Sequence, residues 1–129
     1  MRRAGPYQLR AAIAALHCQA SRPDETDWRQ IAALYKELHR LTPTAVVALN
    51  HAVAVAIAVS PGEGLRDLDE SGLSQALTDY YLYHAARADL LRRSGRTSEA
   101  AAAYQRALSL TVNSVERQYL KRRLKETTA

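Results

Sequence analysis

Four histidines, one cysteine and a short run of carboxylates are the groups in this 129-residue chain best suited to metal binding or bond-making chemistry. Their spacing argues against both. His17 and Cys18 are adjacent, so on a helix they point about 100° apart and do not easily share one metal ion. His39 stands in the polar part of a helix. His51 and His84 are the better candidates, on two further helices, but ligand clustering is missing around both. Asp67, Asp69 and Glu70 crowd the end of another helix, where helical spacing gives a solvated acidic face rather than a metal site. There is no glycine-rich phosphate loop, nucleophile elbow or zinc-type spacing. The expectation is a protein with no catalytic residue, no metal and no cofactor.

Polar residues inside apolar helices carry more information. Asn50 interrupts VVALNHAVAVA, Gln8 sits early in the first helix, and Tyr80, Tyr81 and Tyr83 precede Arg87 and Asp89. In a stack of helix pairs the first helix of each pair lines the concave surface, the usual binding face. Gln8, Asn50, Tyr80, His84 and Arg87 would then converge on a groove able to take a peptide. The competing reading has Asn50 and Gln8 satisfy backbone groups between helices, and Arg87 pair with a nearby carboxylate. A second cluster is the basic end: Arg117, Lys121, Arg122, Arg123 and Lys125 against Glu116 and Glu126. It reads as the solvated face of a last helix, or as an electrostatic contact with nucleic acid or an acidic protein surface. A net charge of +5, from 18 Lys and Arg against 13 Asp and Glu, permits an acidic partner without requiring one. A small-ligand-binding helical repeat is a further alternative.

The elements that must position these residues are helices. Apolar residues make up 47%, yet Phe is absent and Trp occurs once. Alanine dominates, so the core must come from close helix packing, and the abundance of Ala, Leu, Arg, Glu and Gln favours helix. No window reaches 18 apolar residues, so no membrane span is expected. The start, Met1 to Pro6, lacks a hydrophobic signal core. A single cysteine excludes an internal disulfide and fits a reducing compartment. The expected location is the cytoplasm, with no membrane contact.

The stretch YLYHAARADLLRRSGRTSEAAAAYQRALSLT, Tyr81 to Thr111, predicts two amphipathic helices joined by Ser94-Gly95-Arg96. Leu82, Ala85, Ala88 and Leu91 give the first an apolar face; Ala100, Ala103, Tyr104, Ala107 and Leu108 give the second another. Gly95 ends the first helix and Thr97 or Ser98 caps the second, with Glu99 in its first turn. The order of small residue, Gly, Ala, aromatic, Ala (Ala88, Gly95, Ala100, Tyr104, Ala107) resembles the tetratricopeptide repeat. Ala88 and Ala100 let the two helices approach, and Tyr104 fills the space beside them. Upstream, a helix runs from Pro6 to about Ala20 through Leu9, Ala12, Ile13 and Leu16. Ser21 to Glu25 form a loop. Thr26 or Asp27 caps a second helix carrying Trp28, Ile31, Leu34, Tyr35, Leu38 and Leu41, which Pro43 closes. A buried helix spans Thr44 to Val59, and Ser60-Pro61-Gly62-Glu63 opens a fourth, weakened by Gly62 and Gly64 and ended by Ser71-Gly72. A connector leads to the helix at 79–94, and Asn113 to Glu116 open a last one, with Tyr119, Leu120 and Leu124 inward. Tyr35 aligns with Tyr104 at an offset of 69, about two 34-residue periods. The predicted fold is an all-α, tetratricopeptide-like solenoid in one domain, 1–129, with helix pairs at about 6–42, 44–71 and 79–110 and a capping helix at about 114–126.

Three long segments, GPYQLRAAIAALH (Gly5–His17), DWRQIAALYKELHRLTPTAVVALNHAVAVA (Asp27–Ala56) and YHAARADLLRRSGRTSEAAAAYQRAL (Tyr83–Leu108), closely resemble the C-terminal extension of a group of bacterial extracytoplasmic-function (ECF) sigma factors. That extension is a tetratricopeptide-like domain following sigma regions 2 and 4. The resemblance implies a regulatory module that takes the place of a separate anti-sigma factor. Its implied partners are sigma regions 2 and 4 of the parent protein, the RNA polymerase core, or another regulatory protein. Regions 2 and 4 are absent here, so this chain alone should not initiate transcription, and DNA would be reached only through them. Met1 would then lie within a longer protein. The Gly5-Pro6-Tyr7-Gln8 motif, Asn50, Arg87 and Asp89 match the family's pattern. With Tyr80 and His84 they are the expected interaction residues. The chain departs from the family at His51, where Arg is common, and at Val59-Ser60-Pro61, where Asp-Gly-Pro is common.

Overall fold

A computed structural model describes residues 5–19, 27–70 and 72–128. Among them are eight helices and no strand: α1 (Pro6–Gln19), α2 (Trp28–Leu41), α3 (Ala45–Ala58), α4 (Pro61–Glu70), α5 (Leu73–Ala76), α6 (Tyr81–Arg93), α7 (Thr97–Leu110) and α8 (Ser114–Thr128). The described residues form an all-helical fold, as the composition favours. Contacts divide it into two compact units, Met1–Gly64 and Leu65–Ala129, with the division inside α4. The expected loop Ser21–Glu25, the end of the first helix at Ala20, the alternative cap Thr26 and the expected stop at Ser71 lie outside the described residues.

In the first unit α2 packs on both α1 and α3. Helix starts follow local chemistry. Gly5 precedes Pro6 at the first helical position, and the Gln8 side-chain carbonyl reaches back to accept the Gly5 N–H, one half of a capping box. The Asp27 carboxylate accepts the Gln30 N–H at 3.1 Å. Thr44 Oγ1 accepts that of Val47 at 3.2 Å, and Ser60 Oγ that of Glu63 at 3.2 Å. The predicted apolar stripes meet in two clusters. Leu9, Leu38 and Val47 form one; Ile13, Ile31 and Ala54 form the other, with Trp28, Leu34 and Tyr35 packed around them. Helix α3 buries Val47, Leu49, Ala52, Ala54 and Ala56, residues spread around its circumference, which explains its nearly unbroken apolar sequence.

Gly64 changes meaning in the structure. By sequence it weakens a helix; in space it lets the first turn of α4 approach α3. A Cβ there would stand 2.4 Å from the Ala56 Cβ and 2.8 Å from the Ala52 carbonyl oxygen.

In the second unit α7 packs on both α6 and α8. Gly95, at φ +79°, ends α6 in a Schellman turn: the Arg96 N–H donates to the Leu91 carbonyl at 2.9 Å and the Gly95 N–H to the Arg92 carbonyl at 3.1 Å. That turn brings the chain directly into α7, so Arg96 occupies the N-cap position without a side-chain cap bond. The expected capping by Thr97 or Ser98 is thereby corrected; the Arg96 guanidinium pairs instead with Glu99 at 2.6 Å. Ala88, Ala100, Tyr104 and Ala107 are fully buried, as their spacing predicts. Leu82 is not: it is 45% exposed, and Tyr83 and Leu90 take its place in the core. A strict three-residue step drifts about 60° backwards per step on a 3.6-residue helix, so Leu82 and Leu91 cannot share one face. The expected connector before α6 contains the short α5, entered through Gly72 at φ +71°. Helix α8 starts on Asn113, whose Oδ1 accepts the Glu116 N–H at 3.0 Å, and buries Leu120.

Candidate functional site

The expected interaction residues divide between the two units: Tyr7, Gln8 and Asn50 belong to the first, and Tyr80, His84, Arg87 and Asp89 to the second. In the first unit, Tyr7 is 85% exposed on the opening turn of α1. Gln8 is engaged in its own helix cap. Asn50 is half-buried on α3, and its amide makes no hydrogen bond to any described residue. The same stripe of α3 carries Val46, Val53 and Ile57 at helical spacing, with Val46 and Ile57 both exposed. Asn50 therefore has an amide with no partner among the described residues, in the middle of an apolar stripe with exposed ends.

In the second unit the α6 residues are largely tied down. Arg87 Nε stands 3.4 Å from Asp69 Oδ1, the carboxylate pairing that was its competing role. His84 Nε2 lies 2.8 Å from the Thr78 carbonyl oxygen; a carbonyl only accepts, so the ring proton sits on Nε2. The His84 ring also packs edge-on against Tyr83, with centroids 5.0 Å apart. Arg106 from α7 donates to the same Thr78 oxygen at 3.1 Å and to Asp79 Oδ1 at 3.1 Å. Together they fix the connection that delivers Tyr80, which holds the N-cap position of α6 through its backbone.

Asp89 is the centre of a network that sequence reasoning did not find. The buried Tyr104 hydroxyl of α7 donates to Asp89 Oδ1 and accepts from Arg92 Nε at 3.1 Å. The Tyr119 hydroxyl of α8 lies 3.0 Å from Asp89 Oδ2 and 3.2 Å from Oδ1. One carboxylate thus joins three helices. Burial, with the Asp89 carboxylate as the next cause, pushes the Tyr104 phenol up to about 12. Tyr119 is 30 residues from Asp89, so no local spacing marks the pair.

The basic end is less free than its sequence suggests. Arg117 donates to the Leu108 and Thr111 carbonyls at 2.6 and 3.0 Å, satisfying the C-terminal end of α7. Arg123 pairs with Glu126 at 3.1 Å and lies over the Tyr119 ring at 5.5 Å. Arg122 also faces that ring, at 5.8 Å, while Lys121, Arg122 and Lys125 are exposed and form no ion pair among the described residues. Two of five expected surface charges are therefore structural. Among the described residues no group of three metal-binding side chains comes together, and no helix is long and apolar enough to cross a membrane. The side chains of His17, Cys18 and Glu70 lie outside the described residues.

No family model matches the chain, and no solved structure does. A protein of Rhizobium meliloti (strain 1021), described as uncharacterized, is 44% identical over 128 residues, which cover 99% of this chain and 30% of that protein. The chain thus spans under a third of that relative's length.

Proposed function

We propose that the chain is a tetratricopeptide-like regulatory module of the kind appended to ECF sigma factors, acting by protein–protein contact with sigma regions 2 and 4, the polymerase core or a partner regulator. The observation that carries the helical-repeat part is a register. Moving α2 (Trp28–Leu41) forward by 69 residues gives the bounds of α7 (Thr97–Leu110), and the same shift brings the start of α3, Ala45, onto that of α8, Ser114. The offset read from Tyr35 and Tyr104 therefore holds for two successive helices and for the turn between them. In both places the middle helix packs on its two chain neighbours, as stacked repeats do. The sigma-factor part rests on the resemblance of three long segments in order. A relative carrying this stretch as 30% of a longer chain is compatible with a module attached to other domains.

The groups offered to a partner are Tyr7, Asn50 and Tyr80, because the side chains of Gln8, His84, Arg87 and Asp89 already have partners. The test is a pull-down of sigma regions 2 and 4, and separately of core polymerase, at two salt concentrations. Specific capture that survives moderate salt and weakens in Asn50→Ala supports the reading; no capture at either salt rejects it. The exposed Lys121, Arg122 and Lys125 favour one alternative, a nucleic-acid contact. It would show as DNA binding whose log–log salt slope is about −3, from roughly −0.9 per phosphate neutralised.

A further inference from the structure

Arg10, Ile13 and Ala14 of α1 and Tyr35 of α2 line an open groove of about 280 Å³ in the first unit. Ile13 is buried and forms an apolar wall. Arg10 is exposed and makes no hydrogen bond or ion pair with any described residue. The Tyr35 hydroxyl likewise makes no hydrogen bond to any described residue. Burial raises the Tyr35 pKa while the Arg10 charge partly offsets it, so the phenol stays protonated, a ready O–H donor, at neutral pH. Arg10 and Tyr35, whose polar ends have no partner among the described residues, thus line a single concavity with an apolar wall.

We propose that this groove binds a carboxylate carried on a short apolar body, with Arg10 and the Tyr35 hydroxyl on the carboxylate and Ile13 and Ala14 against the body. A guanidinium presents its N–H groups as a planar fork that matches a planar carboxylate. A phosphate dianion would leave most of its acceptors unmet here, since the groove offers one cation and one hydroxyl. The volume lies just below the usual range for ligand pockets, about 300–1,000 Å³, so the occupant is a small acid or a single side chain. Tyr7, three residues before Arg10, shares that edge of α1, which brings one of the sequence-marked residues to the groove's side of the helix. The proposal stands on the groove alone and does not depend on the sigma-factor reading.

The chain labelled with ¹⁵N is titrated with sodium hexanoate, then with hexanamide, and its amide resonances are followed. Saturable shifts centred on Arg10, Ile13, Ala14 and Tyr35 with hexanoate, and none with hexanamide, are expected. Arg10→Gln, at an exposed position and checked for fold by circular dichroism, should weaken hexanoate binding by about tenfold or more, the usual scale for a lost charged hydrogen bond. Tyr35→Phe should weaken it several-fold. Shifts absent or spread over the surface, equal shifts with hexanamide, or an unchanged affinity in Arg10→Gln would overturn the proposal. A parallel titration uses acetyl-Leu-Glu-Leu-amide and its Gln counterpart. Tighter binding of the Glu peptide than of hexanoate assigns the carboxylate to a partner's side chain; the reverse order assigns it to a free acid.

Discussion

Asp89 shows how much one side chain can hold. Its carboxylate takes hydroxyl groups from α7 and α8 while itself standing on α6. Tyr119→Phe should cost about 1 kcal/mol, the net worth of one ordinary hydrogen bond. Asp89→Ala should cost about 2–3 kcal/mol, because it leaves the Tyr104 O–H buried and without an acceptor. Urea unfolding followed by circular dichroism measures both; equal stability of Asp89→Ala and the parent would show that the network contributes nothing. The same tyrosine gives a pH signature. Its folded-state pKa is raised to about 12 from 10.0, so the stabilising difference is intact below pH 10. It is lost as pH rises from 10 to 12, where the unfolded chain ionises first, by up to about 3 kcal/mol. Tyr104→Phe should flatten stability against pH in that window, even though it lowers stability at pH 8.

Helices here are placed by small residues. Gly→Ala on a helix ordinarily stabilises by about 1 kcal/mol. At Gly64 the sign should reverse, because the new methyl would meet Ala56 and the Ala52 carbonyl across the α3–α4 contact. A loss of about 1–3 kcal/mol is expected from overpacking; a more stable Gly64→Ala protein would show that this approach does not constrain the first turn of α4. Ala88→Leu and Ala100→Leu, both at fully buried positions, should each cost about 1–3 kcal/mol for the same reason. Thermal melts that match the parent would refute the close α6–α7 contact. Most of this level was legible in the sequence. Caps at Asp27, Thr44, Ser60 and Asn113 follow from side chains that bond their own backbone, and the stop at Gly95 from a left-handed turn that needs glycine. The spacing misleads at Leu82, because a step of three imitates a helical face over one turn and departs from it over three.

For the whole molecule, charge and chain length bear on partners rather than on fold. The net charge of +5 counts Arg117 and Arg123, both of which the folded chain uses internally. Their guanidinium groups are less available to a partner than the exposed Lys121, Arg122 and Lys125. Lys121→Glu with Lys125→Glu should abolish whatever DNA affinity the protein has, with its melting temperature unchanged within a few degrees. If partner capture by the sigma regions persists in that double variant, the protein contact lies elsewhere than the basic end.

The sequence by itself determined the all-helical class, the bounds of seven helices to within a few residues, most of their inward faces and the 69-residue register between α2 and α7. These depend on properties a residue shares with its near neighbours: period, cap and turn. The fate of the polar residues was decided only by tertiary structure. Whether Arg87, Asp89 or Arg117 is a surface charge or an internal tie depends on what another helix brings to it. The partners lie 18, 30 and 9 residues away. Gly64 as a close contact, and Arg10 beside Tyr35 as a groove, arise likewise from helices meeting, because packing distance is set by two surfaces and no single stretch of chain contains both.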